Sequence, residues 1–229
     1  MTTVAIMQPT YLPYLGYFHL IAASDVFVFL DDVQFARRSW QQRNRIMGPN
    51  GEVMLTVPVQ KAPQDTLFRE VEICDAEPWR ERHLESIRHA YGKRPFFAEG
   101  MAFMESYLYA NAYLSDMNCA LIEAAAIGLG FSTKFRRSTL LDVPGKRSDH
   151  LRAIIEAVGA TEYLSPMGSQ AYMTEDGWDF PVRYQGFVPI PYPQGREPFT
   201  PYMAFIDAVM NVGWDGTRGL IEQMRLQET

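Results

Sequence analysis

Val4-Ala5-Ile6-Met7 is a short apolar run stopped by Gln8-Pro9. After a Pro-rich turn, Leu15, Phe18, Ile21 and Ala22 fall at helical spacing. Asp25 then opens a second apolar run, Val26-Phe27-Val28-Phe29-Leu30, which ends abruptly at Asp31-Asp32. Strand, loop, helix and strand within about thirty residues predict a βαβ unit and a parallel sheet. Ligands of such sheets gather outside the carboxyl ends of the strands. Gln8 and the Asp31-Asp32 pair both sit at predicted carboxyl ends, the first positional argument for a site.

Working outward, Gly48-Pro49-Asn50-Gly51 reads as a hairpin-type turn and Val53 to Val59 as a strand near an edge. Helices are expected over 78–91 and 97–128, the second ending at Gly128-Leu129-Gly130. A strand over Lys134 to Arg137, a helix over 147–158 and a strand over Thr161 to Leu164 follow. The stretch 186–201 is Pro-rich with little regular structure, and helices over 202–212 and 215–226 close the chain. The expected fold is α/β, a Rossmann-like parallel sheet core with C-terminal helices, in one domain spanning 1–229.

The chain has 229 residues, 47% hydrophobic and 21% charged, which supplies core material and excludes a disordered tail or linker. With 21 Lys+Arg against 27 Asp+Glu the net charge is −6, a poor balance for wrapping nucleic acid, although a basic patch can still hold one phosphate. Cys74 and Cys119 stand in no CxxC or His pattern, so they are expected to be reduced and structural. Neither a signal peptide nor a membrane span is legible, which places the protein in the cytoplasm as an expectation.

Three clusters carry candidate chemistry. The first runs from Gln8 to His19. A polar, aromatic loop opening a helix exposes backbone N–H groups to a phosphate or carboxylate, and Gly16 permits close approach of a ligand. Tyr11, Tyr14 and Tyr17 are candidate binding or catalytic hydroxyls, or else caps of the core. His19 is a candidate acid–base group, or a packed histidine. The second cluster joins Asp31, Asp32 and Gln34 to Arg37, Arg38, Arg43, Asn44 and Arg45. Paired carboxylates can orient an amine or hold Mg²⁺. Arginine forks suit phosphate, and the two sets could instead satisfy each other structurally. The third comprises Lys146, Ser148, Ser165, Ser169 and Tyr172, an anion site at a helix start or an ordinary serine cap. HExxH, Walker and GxGxxG motifs and a nucleophile elbow are missing, and no metal site is expected.

The blocks Gln8-Pro-Thr-Tyr-Leu-Pro-Tyr-Leu-Gly-Tyr-Phe, Asp31-Asp-Val-Gln-Phe and Arg38-Ser-Trp-Gln-Gln-Arg-Asn-Arg-Ile resemble the WbqC-like family. So do Tyr163-Leu-Ser-Pro and Phe199-Thr-Pro-Tyr-Met-Ala-Phe-Ile-Asp-Ala-Val-Met-Asn-Val-Gly. That resemblance implies a setting in bacterial O-antigen and surface-polysaccharide biosynthesis and a glycine-transferase role. The layout around Tyr14-Leu15-Gly16-Tyr17 is also similar to HIGH-type nucleotidyl transferases, with tyrosines where their HxGH motif has histidines. The resulting expectation is a transferase joining glycine or another small amino acid to an amine of a sugar or small-molecule precursor. Its donor would be ATP-derived (with Mg²⁺) or an aminoacyl-tRNA end, and its acceptor a small-molecule amine or nucleotide-linked amino sugar. Gln8, Tyr11, Tyr14 and Tyr17 would grip the donor and Asp31 or Asp32 the acceptor ammonium. The basic residues Arg37, Arg43, Arg45 and Lys146 would bind donor phosphate, and Ser148, Ser165, Ser169 and Tyr172 would finish the pocket. Two alternatives stand beside it: a nucleotidyl transferase charging a sugar phosphate, and a non-catalytic nucleotide-sugar-binding protein.

Overall fold

The computed structural model describes residues 1–109 and 111–223. Strand β1 (Thr3–Met7), helix α1 (Leu15–Ala22) and strand β2 (Val26–Phe29) form the βαβ unit, with Val4 opposite Val26 and Met7 opposite Phe29 in parallel register. Between them and the rest of the sheet lie a hairpin, β3 (Arg43–Gly48) and β4 (Gly51–Thr56), and helices α2 (Trp79–Tyr91), α3 (Phe97–Tyr107) and α4 (Leu114–Gly128). The chain then runs through β5 (Lys134–Arg137), α5 (Ser138–Leu141), α6 (Ser148–Ala157), β6 (Glu162–Pro166), α7 (Gln170–Glu175), β7 (Val182–Gln185) and α8 (Phe205–Gln223).

The five-stranded sheet has the order β5-β2-β1-β6-β7 and every pairing is parallel. This is the doubly wound, Rossmann-like α/β layout, and its winding reverses at β1 and β6. Period-two alternation puts Ala5, Phe27 and Phe29 into the large core with α1, α4 and α8, while Val4, Ile6 and Val28 pack against Leu151, Ile154 and Ile155 of α6. Burial on both faces explains why β1 and β2 read as continuous apolar runs.

The structure differs from the sequence reading in four places. Residues 43–48 form β3, because pairing with β4 in an antiparallel hairpin supplies backbone partners that a polar stretch does not advertise. The expected helix 97–128 is two helices. Ala112 O accepts from Ile73 N at 2.8 Å and Leu114 N donates to Val71 O at 2.9 Å, so this stretch leaves the helix to pair with a distant segment. Residue 110 lies outside the described residues. β7 adds an edge strand just before the Pro-rich stretch, where the sequence reading placed no strand. The two C-terminal helices abut in α8 across a kink at Gly213, whose φ of 73° and ψ of 178° leave the helical region, and 224–226 lie outside the described residues.

Cys74 and Cys119 are free thiols, and burial pushes the Cys119 thiol up. Among the described residues no helix is long and apolar enough to cross a membrane.

One buried pair sets a pH dependence. Tyr11 is fully buried and its hydroxyl lies 2.9 Å from His83 Nδ1. Burial pulls the His83 pKa down to about 4, with a backbone contact at Thr56 opposing it. The unfolded chain therefore binds the proton first. The stability from neutral His83 is complete above about pH 6.5 and drains as pH falls through about 4. Two and a half units correspond to about 3 kcal/mol. Denaturant midpoints measured at pH 7 and pH 4.5 should show this slope in the native chain, and His83→Gln should flatten it.

Candidate functional site

The loop after β1 is built by side-chain amides reaching in from three other segments. Tyr11 N donates to Trp40 O at 2.9 Å, and Asn44 Nδ2 donates to the carbonyls of Tyr11 and Leu12 at 3.1 and 2.7 Å. Asn118 Nδ2, from α4, donates to Pro9 O at 3.0 Å and Gln41 O at 2.8 Å. Gln41 Nε2 donates to Gln8 Oε1, and the Tyr17 hydroxyl to Gln8 O. The start of α8 is stitched to the same region through Phe205 N to Pro13 O and Ala204 N to Arg45 O. Buried backbone groups of an irregular loop need such partners, and this loop has them.

The result is a cavity of about 300 Å³ at the carboxyl end of β1. Met7, Thr10 and Pro13 line it, with Tyr14, Tyr17, Asn44 and Arg45 from the sequence-derived set. Trp40 and Tyr202 complete the wall. The ring of Tyr14 meets Phe187 and Tyr202 edge-on, with centroids 5.1 and 5.8 Å apart. A Cβ on Gly16 would come within 2.4 Å of the Tyr14 ring and 2.8 Å of Phe187. Gly16 thus makes room for aromatic side chains, whereas close approach of a ligand was expected. A larger hollow of about 620 Å³ opens near Met1, Asp25 and Lys134, at the amino ends of the strands, where α/β sheets do not ordinarily place ligands.

The two aspartates separate in role. Asp31 is fully buried. It takes the Arg137 guanidinium at 2.6 Å, Thr139 N at 3.1 Å, Thr139 Oγ1 at 2.7 Å and Ser138 Oγ at 3.1 Å. Its lone pairs are committed to joining β2 to the end of β5, so the expected role in holding an acceptor ammonium does not fit it. Asp32 keeps 17% of its side chain exposed. It accepts from Ser138 Oγ at 2.6 Å and lies 3.1 Å from His150 Nε2. Among the described residues, neither aspartate hydrogen-bonds to Tyr14 or pairs with Arg37, Arg38, Arg43 or Arg45. Their partners on the other side chains include Arg137 for Asp31 and His150 for Asp32, which the sequence did not single out.

The remaining expected residues scatter. Tyr11 is committed to His83 and has no exposed surface, which removes it as a donor-gripping group. His19 is buried in α1 with Nδ1 2.7 Å from Gln185 Nε2, and so is engaged with the end of β7. Gln34 donates to Gln64 O and Arg37 to Ala62 O, flanking a separate hollow. Arg38 is exposed, and Arg43 is half-buried with no partner on Nε among the described residues. Lys146 is exposed, while Ser148 Oγ donates to Asp176 at 2.6 Å. Ser165 and Ser169 hydrogen-bond to each other beneath Tyr172. Ser165 is wholly buried, so burial and mutual bonding explain both serines without an anion. Asn118, missed from the sequence, carried one signal: it is a polar side chain on the buried stripe of α4 with Leu114, Leu121 and Ile122. Trp40 and Tyr202 stood inside the quoted blocks without being assigned to a site.

A doubly wound α/β sheet with an aromatic cavity at the carboxyl end of its first strand defines the class. The chain belongs to the WbqC-like protein family, whose model matches residues 8–219. It is 32% identical over 222 residues to the uncharacterized protein Rv1507c of Mycobacterium tuberculosis, an alignment covering 93% of this chain and 95% of that protein. No solved structure matches the chain.

Proposed function

We propose that this WbqC-like protein is a transferase joining glycine, or another small amino acid, to an amine of a sugar or small-molecule precursor. The observation that carries the reading is the aromatic-walled cavity at the end of β1, one strand away from a partly exposed carboxylate. Leu30 N donates to Met7 O at 2.8 Å, which ties the end of the Asp32 strand to the cavity wall. The donor occupies the cavity with its activated acyl group at the mouth. The acceptor ammonium loses a proton, because only the neutral amine carries a lone pair for attack. Asp32 takes that proton. The new C–N bond forms as the bond from the acyl carbon to the donor oxygen breaks, and the nucleotide or tRNA departs with that oxygen.

The test incubates the protein with a nucleotide-linked amino sugar and glycine, supplied either with ATP and Mg²⁺ or as glycyl-tRNA. Mass spectrometry should show acceptor carrying one added glycyl group. Asp32→Asn should lower turnover by about a hundredfold or more, the usual contribution of a positioned base, with the unfolding midpoint little changed. Full activity in that variant removes Asp32 from the mechanism. Pyrophosphate release from a sugar phosphate with no amino acid present would replace the reading with nucleotidyl transfer.

A further inference from the structure

Trp40 and Tyr202, 50% and 47% exposed, are large aromatic side chains left half in water at the rim of the β1 cavity. The three loops that wall it each hold a non-glycine residue in the left-handed region: Leu12 at φ 45°, Arg38 at 58° and Tyr202 at 61°. Strained backbone of this kind collects at functional sites because packing must be spent to maintain it. Two of the polar side chains in the wall are committed. Asn44 uses its amide protons on the loop carbonyls and its Oδ1 on Arg45 N, and the Tyr17 hydroxyl serves Gln8. Arg45 is only half engaged: Nη1 pairs with Glu52 at 2.9 Å, while Nε is buried with no partner among the described residues.

A bare sugar carries several hydroxyls whose burial is costly without hydrogen-bond partners, and it has no flat conjugated face to set against two half-exposed rings. A planar heteroaromatic ring asks only for faces to stack on, and a phosphate suits a guanidinium. We propose that the cavity takes the base of a nucleotide, stacked on Trp40 and Tyr202, with its phosphate toward Arg45. This rests on the β1 cavity being the substrate site, and it names the chemistry of the donor.

The test is equilibrium binding of AMP, GMP, CMP and UMP, their nucleosides and free glucosamine to the full chain by calorimetry. A mononucleotide should bind more tightly than its nucleoside. Trp40→Ala and Tyr202→Ala should each weaken it about tenfold or more, the range of one lost stacking contact. Glu52→Gln, which releases Arg45 from its ion pair, should tighten the nucleotide and leave the nucleoside unchanged. Both aromatic residues are half-exposed, so unchanged unfolding midpoints should show that the truncated variants remain folded. Binding of glucosamine with no affinity for any nucleotide overturns the proposal, as does nucleotide affinity that survives both truncations. Nucleotide binding without glycyl transfer upholds it while defeating the transferase reading. Transfer without affinity for any nucleotide does the reverse.

Discussion

Arg137→Ala is expected to lower the free energy of unfolding by about 3–5 kcal/mol, the usual cost of stranding a buried charge. Asp31 has no exposed surface, and its countercharge is the Arg137 guanidinium 2.6 Å away. Arg137 is itself 25% exposed and also pairs with Asp116 at 2.5 Å, so water can reach the arginine side of the pair but not the aspartate. That asymmetry places the loss on Asp31, left with only neutral hydrogen-bond donors. Urea denaturation at pH 7 measures it. The double variant Asp31→Asn with Arg137→Met should recover part of the loss, because no uncompensated charge then remains. A loss below about 1 kcal/mol in the single variant, the scale of an exposed pair, would mean that Asp31 is solvated.

Asp207→Ala should cost a comparable amount, about 3 kcal/mol or more, because a buried acceptor is removed from beneath several donors at once. Asp207 is fully buried at the start of α8. It accepts from the hydroxyls of Tyr91 and Tyr192, each at 2.6 Å, and from Gln194 Nε2 at 3.0 Å. These bonds tie α2 and the Pro-rich segment to α8. Burial raises the Asp207 carboxyl above the ordinary carboxylate range despite the donors that oppose it. The sign follows from linkage: the folded chain holds the proton more tightly than the unfolded chain. The contribution of Asp207 is therefore complete below the unfolded carboxylate pKa and declines as pH rises through the raised folded value. Compared with Asp207→Asn, which does not titrate, the native chain should lose part of its advantage as pH rises across that window. Paired denaturation series at several pH values would show it, and parallel curves would contradict it.

Different physical sources made different parts legible in the sequence. The βαβ unit was readable because each element carries its own signal: apolar runs for β1 and β2, helical spacing for α1, and Gln8-Pro9 and Asp31-Asp32 as stops. The α3–α4 break was not, because its cause lies in Val71 and Ile73, which borrow the backbone of Ala112 and Leu114. At the site, Tyr14 and Tyr17 were readable because helical spacing set them beside the end of β1. Asn44 and Arg45 came from a second cluster, which the structure brings to the same cavity. Asp31 and Asp32 were correctly placed at a strand end but wrongly grouped. Their partners Ser138 and His150 lie 107 and 118 positions away from Asp31 and Asp32, respectively, and no local pattern announces them. Tyr11 and His19 show the limit of residue type as a guide, since a tyrosine and a histidine near a loop serve equally well as buried, hydrogen-bonded core.

By itself, the amino-acid sequence determined what short-range forces control: strand and helix periodicity, the parallel α/β class, and the end of the sheet where ligands gather. Tertiary structure alone decided which polar groups are spent on the protein and which are left for a ligand. That distinction depends on burial and on partners a hundred residues away. One aspartate thereby became part of the framework and its neighbour a candidate base, and Trp40 and Tyr202 became the rim of a cavity.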